Sequence, residues 1–354
     1  SQNTSETSHA SYIGLTKYDY DTGNKYRRYA ASSLDKMDND YHRYIMTYGL
    51  DISPQTSFVG KVYKSKYSRN WKKVGAIYVS DDGTSSGTIT KVDLANVDFA
   101  TNCDADATTE LRACNILSNA TAMVDNEYVK RSLGHRDYGM YGYDFRLNHV
   151  MGNHDIEIGF IQHSDYRDRK DSGLEERFTL GSNETVVIDT ANSTYTATST
   201  GNDDYASAQS FFITDRITHG SFVTTLGLRH EDVDYWQYTN NSSLDEQENS
   251  QTMIAASTVY NMGNGKSVFG AFSQGYMPTG VSSVEPEESD NFEIGYRNSQ
   301  PGSYLEVVGF HVDYDTLIET CGIAQGCGDS SQNAKNAGEA HVTGIEVFYK
   351  VNNL

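Results

Sequence analysis

Residues 291–297 read Asn-Phe-Glu-Ile-Gly-Tyr-Arg, and every second side chain changes character. Successive side chains of an extended chain point to opposite faces. Phe292, Ile294 and Tyr296 therefore share one side, while Asn291, Glu293, Gly295 and Arg297 share the other. The same alternation sets Leu226 and Leu228 against Thr225, Gly227 and Arg229. It returns where Ile345, Val347 and Tyr349 oppose Gly344, Glu346 and Phe348. One apolar side against Glu, Arg, Gly and Thr is the pattern of a strand with lipid on one side and water on the other.

Outward from this stretch, amphipathic segments come in pairs around short turns. Arg43–Asp51 and Phe58–Asn70 flank Ser53-Pro54-Gln55, and Tyr138–Met151 and His154–Arg167 flank Gly152-Asn153. Gln209–Thr218 and Ser221–Tyr235 flank His219-Gly220, and Thr252–Met262 and Ser267–Tyr276 flank Gly263-Asn264-Gly265. Asn291–Arg297 and Tyr304–Ile318 meet near Pro301-Gly302, and a last strand runs from His341 to Val351. Between the hairpins lie long polar connections, at 71–137, 168–206, 237–251, 277–290 and 319–340. Tight turns at one end and long loops at the other describe an all-β, antiparallel up-and-down transmembrane β-barrel. About eleven strands are expected, many long enough to cross a bilayer when tilted. Single-chain barrels close with an even number, so further strands are expected beyond both ends of this chain. Tyr138, Tyr235, Tyr276 and Tyr314 are expected to form an aromatic girdle.

Composition agrees. Tyrosine is abundant (26) and proline scarce (4), which suits strands joined by Gly- and Asn-rich turns. The net charge of −20 argues against a nucleic-acid partner, because phosphate binding needs surplus Lys and Arg. No run of 18 apolar residues is present, which excludes a transmembrane helix and leaves a barrel open. Cys103 and Cys114, and Cys321 and Cys327, form two local pairs in polar segments. Two disulfides closing surface loops, in an oxidising compartment, are expected. A zinc site fits worse, since neither spacing resembles a knuckle and no histidine is close.

Three blocks carry a family likeness. Pro286, Glu287, Ser289, Asn291, Glu293 and Gly295 come first, then Tyr314, Leu317 and Ile318, then Asn336, Gly338, Gly344 and Glu346. In order and spacing these resemble the C-terminal half of TonB-dependent outer-membrane receptors. The stretches SYIGLTKYDY, YRRYAASSLDKMDNDYHRY and YSRNWKKV, within 11–74, are similar to the ferric dicitrate receptor subgroup. The resemblance implies part of a 22-stranded barrel in the outer membrane of a Gram-negative cell. Residues 1–354 would then be a partial barrel domain, without the plug, the TonB box and the terminal strands. The parent protein would bind a ferric siderophore at its extracellular mouth and import it with energy relayed by the TonB complex through the plug. It would work in contact with outer-membrane lipid and with no resident cofactor. Rival readings are a passive porin-like channel, a receptor for haem, cobalamin or a glycan, and a β adhesin.

A ferric-citrate-type ligand is a compact anion and needs convergent guanidinium groups, whose planar forks bind carboxylates bidentately. Arg27, Arg28, Arg43 and Arg69 are the candidates. The competing reading pairs each with nearby Asp35, Asp38 or Asp40. The ten histidines are scattered, and His149 and His154 bracket a turn expected to face the periplasm. Asp104, Asp106, Thr108 and Glu110 lack the turn glycine and distal Glu of an EF-hand and read as a solvated loop. No nucleophile elbow, Walker loop or HExxH is present, so an enzyme is not expected.

Overall fold

The computed structural model describes residues 1–94 except 10 and 12, then 109–181, 185–195, 202–239, 243–280, 284–321 and 333–351. Among these, sixteen strands form: β1 (Gln2–Ser8), β2 (Lys36–Ser53), β3 (Thr56–Ser80), β4 (Ile89–Asp93), β5 (Tyr128–Met151), β6 (His154–Leu180), β7 (Val186–Tyr195), β8 (Asn202–His219), β9 (Phe222–Thr239), β10 (Ser243–Gly263), β11 (Lys266–Met277), β12 (Glu287–Gln300), β13 (Ser303–Tyr314), β14 (Ile318–Cys321), β15 (Asn333–Asn336) and β16 (Ala340–Val351). Two helices, α1 (Lys17–Asp21) and α2 (Thr109–Leu117), complete the order with a 3-10 turn at Ala30–Ser32.

Fourteen strands belong to one antiparallel sheet. Its path is β1-β2-β3-β5-β6-β8-β9-β10-β11-β12-β13-β16, with β4 on β3 and β7 on β6. β14 and β15 pair separately. All eleven expected strands lie on the path, and each expected turn joins its two partners. The path does not close among the described residues, since β1 and β16 stand at its two ends. The expected loops are shorter than read from sequence. β3 runs on to Ser80, β6 reaches Leu180, and β10 already starts at Ser243.

Register fixes which side chains share a face. Phe292 pairs with Phe272 and His311, and Ile294 with Gly270 and Gly309. This face carries Met46, Tyr48, Val62, Phe145, Ile158, Phe211, Leu226, Leu228, Ile254, Val268, Ile294, Ile345 and Val347, all exposed. Ile294 is 72% and Ile345 77% accessible, levels that water-facing isoleucines would make costly. The opposite face carries Ser65, Asp144, Asp204, Ser210, Asn249 and Ser267, which are buried although polar. Closer packing of side chains on that face produces the inversion, with its polar residues covered and the apolar residues of the other face exposed. Ile45, Val59, Val342 and Phe348 are exposed apolar residues on the polar face.

The expected girdle needs correcting. Of its four tyrosines only Tyr276 follows the apolar face, since Tyr138, Tyr235 and Tyr314 pair in register with polar-face residues. Tyr44, Tyr48, Tyr141, Tyr260 and Tyr349 supply the exposed rings instead.

At the end away from the short turns, a small apolar core caps β3, β5 and β6. Val74, Ile77, Val79, Val92, Leu94, Val129 and Phe178 meet Ala113, Cys114, Ile116 and Leu117 of α2. In α2 these four lie three and four residues apart, so one helical stripe covers the sheet. Bulges at Val74/Ala76 and Ser132/Leu133 mark where the wall gives way to this cap. A bulge bends its strand and strengthens local twist.

Candidate functional site

Just below the cap, the polar face gathers arginines. Asn39 of β2 pairs with Arg69 of β3, Arg69 with Arg136 of β5, and Arg136 with Arg169 of β6. Neighbouring strands are about 4.8 Å apart, so three guanidinium-bearing residues stand side by side. Like charges directly opposite are destabilising, and a sheet keeps such a row only where something offsets the repulsion. Arg43 lies on the same face two pairs nearer the turns, opposite Ser65.

The polar-face arginines differ in how they are compensated. Arg146 is clamped by Asp144 at 2.9 Å and Glu157 at 3.4 Å. Arg229 meets Glu231 at 3.1 Å, Arg297 meets Glu306 at 2.6 Å, and Arg167 pairs with Asp204. Arg43, Arg69 and Arg136, by contrast, have no carboxylate within salt-bridge distance among the described residues. Their Nε atoms are buried without a hydrogen-bond partner, as is that of Arg167, but Arg167 keeps Asp204. Arg69 also lies over the Trp71 ring at 5.6 Å.

Beneath the row is a shelf of tyrosines. Tyr41, Tyr67, Tyr138, Arg167, Asp204 and Gln237 pair in turn across six strands. The rings of Tyr67 and Tyr138 are 5.7 Å apart. Tyr67 donates to Asn39 Oδ1 at 2.8 Å, and Tyr235 donates to Asp204 Oδ1 at 3.0 Å. A cavity of about 480 Å³ opens here, lined by Ser65, Tyr67, Tyr138, Arg167, Asp204 and Tyr235 among others. Guanidinium forks over phenolic hydroxyls can hold a compact polyanion. The arrangement offers neither a nucleophile poised on a base nor a described cluster of metal-binding side chains.

Of the four arginines expected from sequence, the fold brings Arg43 and Arg69 to this wall and holds the other two elsewhere. Arg27 is turned onto Asp19, at 3.0 and 3.2 Å, and the Ser118 carbonyl at 3.3 Å. Arg28 donates to the carbonyls of His9 at 2.7 Å and Ser32 at 2.6 Å. Both guanidinium groups tie down the segment that precedes β2. The partner of Arg27 is Asp19, not the three aspartates considered from sequence. Asp19 itself is buried, which pushes its carboxyl up. Hydrogen bonds from Tyr29, Arg27 and Asn24 outweigh that and leave it below the usual range.

Arg136, Arg169 and the tyrosine shelf were missed from sequence. Counting back from the Gly152-Asn153 turn would have placed Arg136 opposite Arg169. Nothing in the sequence sets β5 against β3 across their long connection.

The remaining expectations fall as follows. His149 and His154 do flank a turn, bonded to Thr56 at 2.9 Å and Asp215 at 2.7 Å. Glu110 opens α2 instead of lying in a loop, while 104–108 are outside the described residues. Cys114 is buried in the cap, and no described cysteine is free. Cys103 and Cys327 lie outside the described residues, as does the side chain of Cys321.

A family model described as TonB dependent receptor-like, beta-barrel matches residues 2–352. No curated protein matches the chain. Solved structures do. The unliganded ferric citrate transporter FecA superposes with a TM-score of 0.60 at 14% identity, over 95% of this chain and 42% of its own. The ferric-catecholate import receptor Fiu from E. coli gives 0.58 at 11%, over 93% and 47%. BauA, the ferric preacinetobactin receptor from Acinetobacter baumannii, gives 0.57 at 12%, over 90% and 44%. At such identities the likeness concerns the fold, and this chain spans less than half the length of each.

Proposed function

The chain belongs to the TonB-dependent receptor β-barrel family, and from that premise we propose that it forms part of the wall of an outer-membrane receptor for a ferric siderophore. The parent protein binds the chelate at the loop-bearing end and imports it by TonB-coupled active transport, through a plug domain that engages the TonB complex. Iron enters as cargo, and no chemistry is performed on it. The ligand we favour within this class is ferric dicitrate.

One observation carries the reading: the row of Arg69, Arg136 and Arg169 with Arg43 below it, of which Arg43, Arg69 and Arg136 have no carboxylate partner among the described residues. Burying unpaired cationic donors is costly, and an anion arriving from the loop side offsets that cost. Carboxylates suit guanidinium forks better than catecholate or hydroxamate oxygens do, because two parallel hydrogen bonds form at once. The similarity of residues 11–74 to ferric dicitrate receptors supports the same choice. All neutral-ligand readings leave the row unexplained.

The test is uptake of iron-loaded citrate by cells carrying the full-length receptor. Replacing Arg43, Arg69 and Arg136 by alanine together should lower uptake well beyond tenfold. Each charge-assisted hydrogen bond lost is worth roughly 1.5–3 kcal/mol. Unchanged uptake would remove these residues from the site. Uptake of an uncharged ferric hydroxamate by the wild type, with citrate ignored, would overturn the ligand.

A further inference from the structure

The apolar face changes character where its belt ends. On β3 the sequence of that face runs Phe58, Gly60, Val62 and then Lys64 and Lys66, the last three exposed. Register places Lys64 between Tyr44 of β2 and Tyr141 of β5, and Lys66 between His42 and Gly139. His42, Lys64 and Lys66 are all exposed. Tyr44 and Tyr141 are 55% and 54% accessible, so two rings flank the first lysine without covering it. Lys66 is partly balanced by Asp137 at 3.6 Å, whereas Lys64 has no acidic partner among the described residues.

On β2 the same face turns acidic directly above, at Asp40 and Asp38, and three further strands end their apolar runs in the same way. β9 ends its apolar run with His230 and Asp232, β12 with Asp290 and Glu288, and β13 with His311 and Asp313. Both histidines stand beside the neighbouring acid, at 3.4 Å for His230–Asp232 and 3.0 Å for His311–Asp313. A chain of net charge −20 thus presents an outward collar that is acidic on β9, β12 and β13, while on β3 two exposed lysines stand just below Asp40 of β2 and Asp137 of β5.

We propose that this place, His42, Lys64 and Lys66 between Tyr44 and Tyr141, docks the phosphorylated headgroup of an anionic lipid in the leaflet on the loop-bearing side. The inference rests on the outer-membrane reading given above. Residues two apart on a strand have side chains about 7 Å apart, so one phosphate group bridges the two ammonium groups. Tyrosine suits this depth because its ring sits in the apolar layer and its hydroxyl in the polar one. Lysine stems lie along the same apolar surface and carry their charge up to it. The acyl chains then descend over Met46, Val62 and Tyr143, which continue the same face towards the turns. Among the described residues, the acids of β9, β12 and β13 have no lysine or arginine beside them on this face and repel the same headgroups, so the two lysines of β3 mark the favoured place.

The experiment inserts the full-length receptor into phosphatidylcholine vesicles with or without bisphosphorylated lipid A. The receptor is then re-extracted in detergent, and lipid retained per protein is counted by native mass spectrometry. The wild type should retain phosphorylated lipid, and Lys64→Ala with Lys66→Ala should retain about tenfold less or lower still, as for two lysines at an anionic surface. Lys64→Arg with Lys66→Arg should restore retention, which separates charge from misfolding. Lys61→Ala, on the polar face of the same strand, should change nothing. Equal retention by the alanine pair, or equal retention of phosphatidylcholine by the wild type, would overturn the docking site alone. Failure of the wild type to insert into either vesicle would overturn the membrane reading with it.

Discussion

Among the described residues Asp35 has no ion-pair partner, although it is fully buried between the N-terminal segment and β3. Its carboxylate accepts from Ser11 Oγ at 2.8 Å and from the Val74 amide at 3.0 Å. Burial pushes its pKa up to about 6, against the pull of those bonds and of the charges on Arg131 and Arg28. A folded-state pKa above the ordinary value means that the folded form binds the proton more tightly. The stabilisation is therefore complete below about pH 4 and is lost as pH rises through about 6. Glu127 runs the other way. Burial raises it, but Arg112 at 2.6 and 2.7 Å, with the amides of Val124 and Ser80, brings it below the usual range. Its contribution is present above the ordinary carboxylate range and lost on acidification, so the interval from about 4 to 6 belongs to Asp35. Hydrogen exchange at the Val74 amide, corrected for intrinsic rate, should be slower at pH 5 than at pH 7, and Asp35→Asn should remove the difference. Equal protection at both pH values would discard this account. Cys114 offers a second test in the same cap. We propose its bond to Cys103, and in denaturant without reductant neither thiol should label; labelling of both would refute the pairing.

At the scale of elements, the turns were the legible part. In Gly263-Asn264-Gly265 all three residues adopt positive φ, at 83°, 50° and 71°. A Cβ on Gly265 would sit 1.9 Å from the Ser299 carbonyl oxygen. Gly265→Ala should therefore cost a few kcal/mol by strain and clash together. Urea denaturation of the folded receptor should show a clearly lower midpoint, while Gly152→Ala, with open space around it, should cost less. Equal midpoints would mean that the β10–β11 turn relaxes. Strand ends were not legible, and the reason is physical. Alternation between apolar and polar residues records lipid on one face, so it fades where both faces are wet. The hydrogen-bond ladder nevertheless continues. β10 begins Ser-Leu-Asp-Glu-Gln-Glu-Asn-Ser and β1 reads Gln-Asn-Thr-Ser-Glu-Thr-Ser, with no apolar phase to betray either. Arg43 and Arg69 were found because they lie in the stretches that resemble ferric dicitrate receptors, at YRRYAASSLDKMDNDYHRY and YSRNWKKV. Arg136 was lost because its partner on β3 is set across a long connection, where no turn fixes the register.

Over the whole molecule, the two faces of one sheet have to meet different solvents. No described helix is long and apolar enough to cross a membrane, so any crossing falls to the strands. An apolar band on one face and polar residues on the other is what lipid outside and water inside require. The pair Glu293 and Ile294 tests this directly, because adjacent residues on β12 point to opposite faces. Ile294 lies midway along its apolar run, between Tyr296 and Phe292. An arginine there should cost about 2–4 kcal/mol in a membrane-spanning barrel. The same arginine at Glu293 faces the polar side and should cost much less. The measurement is folding of the full-length Ile294→Arg and Glu293→Arg receptors into phospholipid vesicles across a urea series. If the wall spans a membrane, only Ile294→Arg shifts strongly, and the shift shrinks when the substitution is moved along the same face to Asp290. If the apolar face instead packed against protein in water, lipid would not be needed for folding, and the depth dependence would vanish. The gradient along β12, more than the size of either single effect, therefore decides between a bilayer and a protein partner as the neighbour of this face.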